Sequence, residues 1–101
     1  MRPIHLAALD KTRPVLILTR EPVRPVLNSI TVAPITSTIR GLSTEVEVGA
    51  ANGLDHKSVV SCDNITIVPR AAIGRLLGYL LPTQEPELAR AIVAAYDLDL
   101  Q

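Results

Sequence analysis

The residues best equipped for chemistry are one arginine and a run of hydroxyls. Arg13 stands immediately before Pro14 and the apolar run "VLILT" at residues 15–19. Thr36, Ser37, Thr38 and Arg40 close the stretch "VAPITSTIRG" at residues 32–41, after Pro34 has interrupted Val32, Ala33 and Ile35. A guanidinium offers up to five N–H donors and holds its proton at any physiological pH, which suits phosphate oxygens. A threonine hydroxyl adds a short donor and acceptor. If the two strands are neighbours, fork and hydroxyl meet at one rim, where they bind a phosphodiester and stabilise charge developing on it. By pattern alone, the same residues also read as a surface charge and a capping hydroxyl.

Other catalytic sets are missing. There is no glycine-rich phosphate loop, zinc-ligand spacing or calcium loop, and the terminal "DLDL" lacks the glycine and downstream glutamate of the last. Neither metal nor organic cofactor is therefore expected. Glu45 and Glu47 alternate along "TEVEV" and read as a solvated strand face. His5 and His56 lie far apart and read as incidental. Cys62 is the only cysteine, so an internal disulfide is excluded and a small core residue is the natural reading. Tyr79 and Tyr96 are the only aromatic residues, which argues against the stacking platforms of RNA-recognition or cold-shock domains.

A chain of 101 residues, 48% apolar and 20% charged, suits one folded domain over residues 1–101 rather than a disordered or fibrous segment. No apolar run approaches the roughly 18 to 20 residues that span a bilayer. The first residues also lack a long apolar stretch before a small-residue cleavage site, so a cytoplasmic protein away from membranes is expected. Strand patterns fall at residues 3–8 (weakly), 15–19, 29–35, 44–48 and 76–81, with one or two more in 59–68. Pro34 reads as the end of a ladder, and Asn52-Gly53 as a turn. "TQEPELARAIVAAYDLDL" reads as a helix capped by Thr83, with Leu88, Ala91, Ile92, Ala95 and Tyr96 on one stripe. Short strands followed by one helix predict an α+β fold, mainly β: a small barrel of short antiparallel strands with the helix packed on it. Charge is balanced overall but unevenly placed. Residues 1–41 carry six basic side chains against two acidic, and residues 42–101 carry four against eight. That hints at an anion site built from the first half, with simple interleaving of charges as the plain alternative.

Four stretches together resemble the MazF/PemK family of toxin endoribonucleases from bacterial toxin–antitoxin systems: "RPVLILT" (13–19), "TVAPITSTIRG" (31–41), "GLDHKSVVSCDNI" (53–65) and "IGRLLGYL" (73–80). They occur in that family's order and cover essentially the whole chain. The resemblance implies an SH3-like barrel and sequence-specific, metal-independent cleavage of single-stranded RNA by 2′-hydroxyl attack, leaving 2′,3′-cyclic phosphate and 5′-hydroxyl ends. It places the catalytic pair on Arg13 and Thr36. Ser37, Arg40, Asp63 and Asn64 become RNA contacts, the last two one methylene shorter than the Glu-Gln usual there. With Arg13, the residues Arg20, Arg24 and Arg40 would form a positive rim. It further implies a homodimer with RNA across its interface and a cognate MazE-like antitoxin whose acidic or apolar tail takes the same groove. There is one departure: only "PIHLAALDKT" precedes Arg13, where the family has an Arg-Gly strand and a long glycine-containing loop. A shortened first strand and a nearly absent loop over the RNA are expected. Two other readings fit the same architecture, a CcdB-type toxin that binds DNA gyrase and an inactive binding module. The Arg13/Thr36 pair favours the ribonuclease, and "AYDLDLQ" carries no signature of a gyrase poison.

Overall fold

The structure, a computed structural model, describes residues 1–99; Leu100 and Gln101, the end of the "AYDLDLQ" stretch, lie outside the described residues. β1 (Pro3–Ala8) and β2 (Thr12–Ile17) form an antiparallel hairpin joined by three residues, 9–11. β1, faint in sequence, is a full six-residue strand paired on both sides, with β2 and with β7 (Ile73–Tyr79). β3 (Ser29–Thr36), β4 (Glu45–Val48), β5 (Ser58–Ser61) and β6 (Thr66–Pro69) complete an antiparallel sheet in the order β4-β5-β3-β2-β1-β7, with β6 beside the start of β3. The stretch at residues 59–68 is thus two strands, separated by a 3-10 turn at Cys62–Asn64. The architecture is the expected one, a curled, mainly antiparallel sheet carrying one C-terminal helix.

β3 decides how the sheet curls. It pairs with β2 from Val32 to Pro34, and with β5 at Ile35 and Thr36. Pro34 brings no N–H and occupies the last position paired with β2. The proline therefore ends the β2–β3 ladder, as read from sequence, but not the strand, which continues to Thr36 on β5. β2 also begins at Thr12, so Arg13 lies inside the strand rather than ahead of it.

Alternation along the strands sorts the apolar residues into two cores. Leu16, Ala33 and Ile35 pack with Ile4, Val46, Val60 and Leu80 in the larger one. Val15, Ile17 and Val32 turn to the other face and join Ala7, Ile30 and Val68. The continuous run of β2 is therefore buried on both faces, as its lack of polar residues requires.

The helix α1 (Glu85–Tyr96) closes the larger core with Leu88 and Ala91, flanked by Ile92 and Ala95. Tyr96 departs from the predicted stripe: as the last residue of the helix it is 53% exposed. The N-cap position is Gln84, not Thr83, and its side chain is used elsewhere. Gln84 Oε1 accepts the Asn52 amide (2.7 Å) and the Leu81 N–H (2.8 Å), while Nε2 donates to the Glu47 carbonyl (3.1 Å). The buried Asn52 also donates to the Tyr79 carbonyl (2.9 Å). This amide pair ties the 50s turn to β7 and to the helix start.

Two glycines allow that tie. A Cβ on Gly53 (φ +84°) would lie 2.1 Å from the Leu77 carbonyl oxygen, and one on Gly78 would lie 2.1 Å from that of Asn52. Gly78→Ala is predicted to cost about 3 kcal/mol or more, the upper range for overpacking. Gly41 (φ +74°) has open space around it, so Gly41→Ala should cost only about 1 kcal/mol for its left-handed backbone. Urea unfolding of both variants checks this; equal midpoints would refute the close approach.

Candidate functional site

The site lies where β2 and β3 part. Their last pair is Val15 with Pro34. Continuing that register two residues along each strand sets Arg13 opposite Thr36, with no ladder bonds between them. Both side chains share the face of the smaller core, at its open end. Both line a cleft of about 770 Å³ with Asp10, Arg40, Glu45, Asp63 and Asn64. Both also line a second cleft of about 460 Å³, which contains Ser37. Arg13 and Thr36 thus form the ridge between two clefts. Of the six residues singled out from sequence, five meet in the first cleft and Ser37 opens into the second.

The guanidinium is held but not saturated. Its side chain is only 24% exposed, and Nη2 donates to Asp10 Oδ2 at 3.2 Å. The Asp10 carboxylate is 74% exposed, so this pair contributes at most about 1 kcal/mol to stability and mainly orients the fork. Among the described residues, Arg13 Nε is buried with no hydrogen-bond partner. Such an orphan costs roughly 1–3 kcal/mol and is a donor waiting for an acceptor. Across the opening, Thr36 Oγ1 accepts the Thr38 N–H at 3.1 Å. That bond fixes the oxygen at the strand end and leaves the hydroxyl proton free to donate.

The walls of the first cleft are pinned by carboxylates. Glu45 accepts the backbone N–H groups of Arg40 (3.2 Å), Gly41 (2.9 Å) and Leu42 (3.1 Å). It is therefore a loop anchor rather than part of a solvated face, while Glu47 is exposed as expected. Opposite, Thr44 Oγ1 donates to Asp63 Oδ2 at 2.6 Å, and Asn64 Nδ2 donates to Ser61 Oγ at 2.8 Å. Asp63 and Asn64 are exposed yet tethered, each with one oxygen left to accept. Cys62 beside them is fully buried in the larger core. Burial, with a smaller push from the Asp63 charge, raises its thiol from 9.0 to about 11.

The positive rim is smaller than expected. Arg24 donates to the Thr19 carbonyl (2.8 Å) and lies beside Met1, Pro3 and His5, and neither it nor Arg20 lines either cleft. Sequence reasoning missed Asp10, whose one signal is its place three residues before Arg13 in a tight hairpin. It also missed Lys11, His56 and Arg75, which line the second cleft. Sheet order alone brings β7 to the β1–β2 turn. Among the described residues no cluster of three His, Cys, Asp or Glu side chains is placed to hold a metal, and no helix is long and apolar enough to cross a membrane.

Residues 5–96 match the family model of PemK-like, MazF-like toxins of type II toxin–antitoxin systems. The chain belongs to this family. Endoribonuclease MazF3 of Mycobacterium tuberculosis is 66% identical to it over 99 residues, covering 98% of this chain and 96% of that protein. Probable endoribonuclease MazF2 of the same organism is 38% identical over 84 residues, covering 82% of each. The structure of M. tuberculosis toxin MazF-mt6 superposes with a TM-score of 0.96 at 65% identity, covering 97% of this chain and 99% of the other. A mycobacterial endoribonuclease in complex with its cognate antitoxin shares the fold, with a TM-score of 0.86 at 22% identity over 98% and 95% of the two chains. Within this MazF-like frame, the three-residue β1–β2 turn leaves Asp10 and Lys11 standing directly beside the ridge.

Cys62 supplies a pH test of the core that backs the Asp63 wall. Because its folded value is raised above 9.0, the folded chain keeps this proton longer than the unfolded one. The contribution is level up to about pH 9 and is lost as pH climbs to about 11. Urea midpoints of the native protein should fall more steeply over that interval than those of Cys62→Ala. Parallel curves would contradict the burial.

Proposed function

We propose that this chain is the toxin of a type II toxin–antitoxin pair, an endoribonuclease that cuts single-stranded RNA on the Arg13–Thr36 ridge with sequence specificity and without a metal ion. One observation carries this reading: a permanently charged, partly buried guanidinium with an orphan N–H faces a free hydroxyl proton at the mouth of a cleft. The named relatives, both endoribonucleases or probable ones, support cleavage over the gyrase-binding alternative.

RNA carries its own nucleophile. The 2′-oxygen forms a bond to phosphorus as its proton leaves. The bond from phosphorus to the 5′-oxygen breaks, and that oxygen takes up a proton. The products are a 2′,3′-cyclic phosphate and a 5′-hydroxyl. Arg13 meets the non-bridging oxygens with its free N–H groups, where negative charge grows in the transition state. Thr36 donates to a phosphate oxygen or holds the 2′-hydroxyl in line. The guanidinium offers only donors and no acceptor, so it is not itself the base. Arg40 and Ser37 hold flanking backbone, and the free oxygens of Asp63 and Asn64 meet base edges. DNA lacks the nucleophile and survives.

The same reading assigns a single domain over residues 1–101, acting in the cytoplasm where its RNA is. It also assigns a homodimer. Among the described residues β7 is paired with β1 alone and shows Leu76 (44% exposed) and Tyr79 (39% exposed), an open apolar edge of the kind that recruits a partner. A cognate antitoxin, MazE-like by family, silences the toxin by filling the first cleft.

Arg13→Ala should lower the rate by about 10²–10³-fold, as removal of a transition-state donor does, and Thr36→Ala should also be impaired. Wild-type cleavage should persist in EDTA and leave cyclic phosphate ends, read by end-labelling. Wild-type rates from both variants would overturn the assignment.

A further inference from the structure

We infer that the second cleft is a backbone subsite, where Lys11 and Arg75 hold phosphates flanking the cut; this rests on the cleavage site proposed above. The ridge residues Arg13 and Thr36 line both clefts, so a strand with one phosphate on the ridge continues into each. The two clefts differ in charge. The first sets two arginines, Arg13 and Arg40, against Asp10, Glu45 and Asp63. The second sets Lys11, Arg13 and Arg75 against Asp55 alone, with His56 beside them. Carboxylates repel phosphates and accept from the amino groups of bases, whereas unpaired cations attract backbone. Bases therefore concentrate in the first cleft, where Arg40 alone holds backbone beside them, and the flanking sugar–phosphate chain runs into the second.

Local structure places the cations for this. Among the described residues, neither Lys11 nor Arg75 makes an ion pair or a side-chain hydrogen bond. Lys11 sits in the β1–β2 turn, two residues from Arg13. Arg75 lies in an irregularity of the β1–β7 pairing, where His5 faces Leu76 but Ala7 faces Ile73. β7 thus fits an extra residue opposite Leu6, and bulges of this kind re-aim a side chain. Gly74 makes the close approach possible, since a Cβ there would stand 3.3 Å from the Leu6 carbonyl oxygen. Leu6, Pro14 and Leu77 give the cleft an apolar floor suited to ribose.

The test is binding and cleavage of single-stranded RNA by the Lys11→Ala/Arg75→Ala double variant, beside the charge-keeping Lys11→Arg/Arg75→Lys. Fluorescence anisotropy across a salt series should show the alanine variant binding a twelve-nucleotide RNA about tenfold more weakly. Its plot of log affinity against log salt should be shallower by about 1.4, the contribution of two phosphate contacts to a single strand. The charge-keeping variant should retain the wild-type slope. Cleavage should show a raised KM with kcat unchanged on the long RNA, and no difference from wild type on the shortest RNA still cut. An unchanged salt slope would overturn the inference, as would an equal KM change on short and long RNA. Loss of the dimer with RNA affinity intact would also overturn it, and give the cleft to a second copy of the chain. Failure of the wild type to cut any RNA would instead refute the cleavage site itself, since the salt slope reads binding alone.

Discussion

Where β2 and β3 part after Pro34, these two strands stop pairing main chain with main chain and leave Arg13 across from Thr36. The rest of the molecule maintains that opening. Pro34 has no N–H to extend the β2 ladder, and β5 takes up the last two residues of β3. Val15, Ile17 and Val32, on the same face, anchor both strands just behind the gap. The cost is visible in Arg13, whose Nε is buried without a partner among the described residues. Folded proteins rarely leave such a donor unsatisfied. In the proposed reading the missing acceptor is a phosphate oxygen.

Around this ridge the fold separates two kinds of recognition. Carboxylates shape the first cleft, Glu45 by binding three backbone amides and Asp63 by holding the Thr44 hydroxyl. Cations from elements far apart in sequence shape the second. Contacts to backbone set register and carry salt dependence, while contacts to bases carry sequence information. In the proposed reading one small domain serves both tasks because Arg13 and Thr36 border both clefts.

Much of this was legible beforehand, for physical reasons. Arg13 and Thr36 stood out because each borders a proline or a buried run, and the apolar periods of the strands and the last helix outlined the α+β fold. Other features were hidden by the one-dimensional view. Arg20 and Arg24 counted toward a basic first half, yet Arg24 spends its N–H on the Thr19 carbonyl, away from both clefts. Charge along a chain is not charge in space. Arg75 and Lys11, 64 positions apart, meet only because β1 lies between β2 and β7. Thr83 looked like a cap, but the Asn52 amide recruits Gln84 and the helix starts after it. The weak β1 became central for a similar reason: pairing on two sides replaces what its own residues lack.

The most direct trial of the account is a structure of the protein with a single-stranded RNA made uncleavable by a 2′-O-methyl group at the cut site. The phosphate next to that group should sit on the ridge, with its oxygens within hydrogen-bonding distance of both Arg13 Nε and Thr36 Oγ1. A phosphate bound by one of these groups with the other turned away, or an RNA lying wholly outside the ridge, would contradict it.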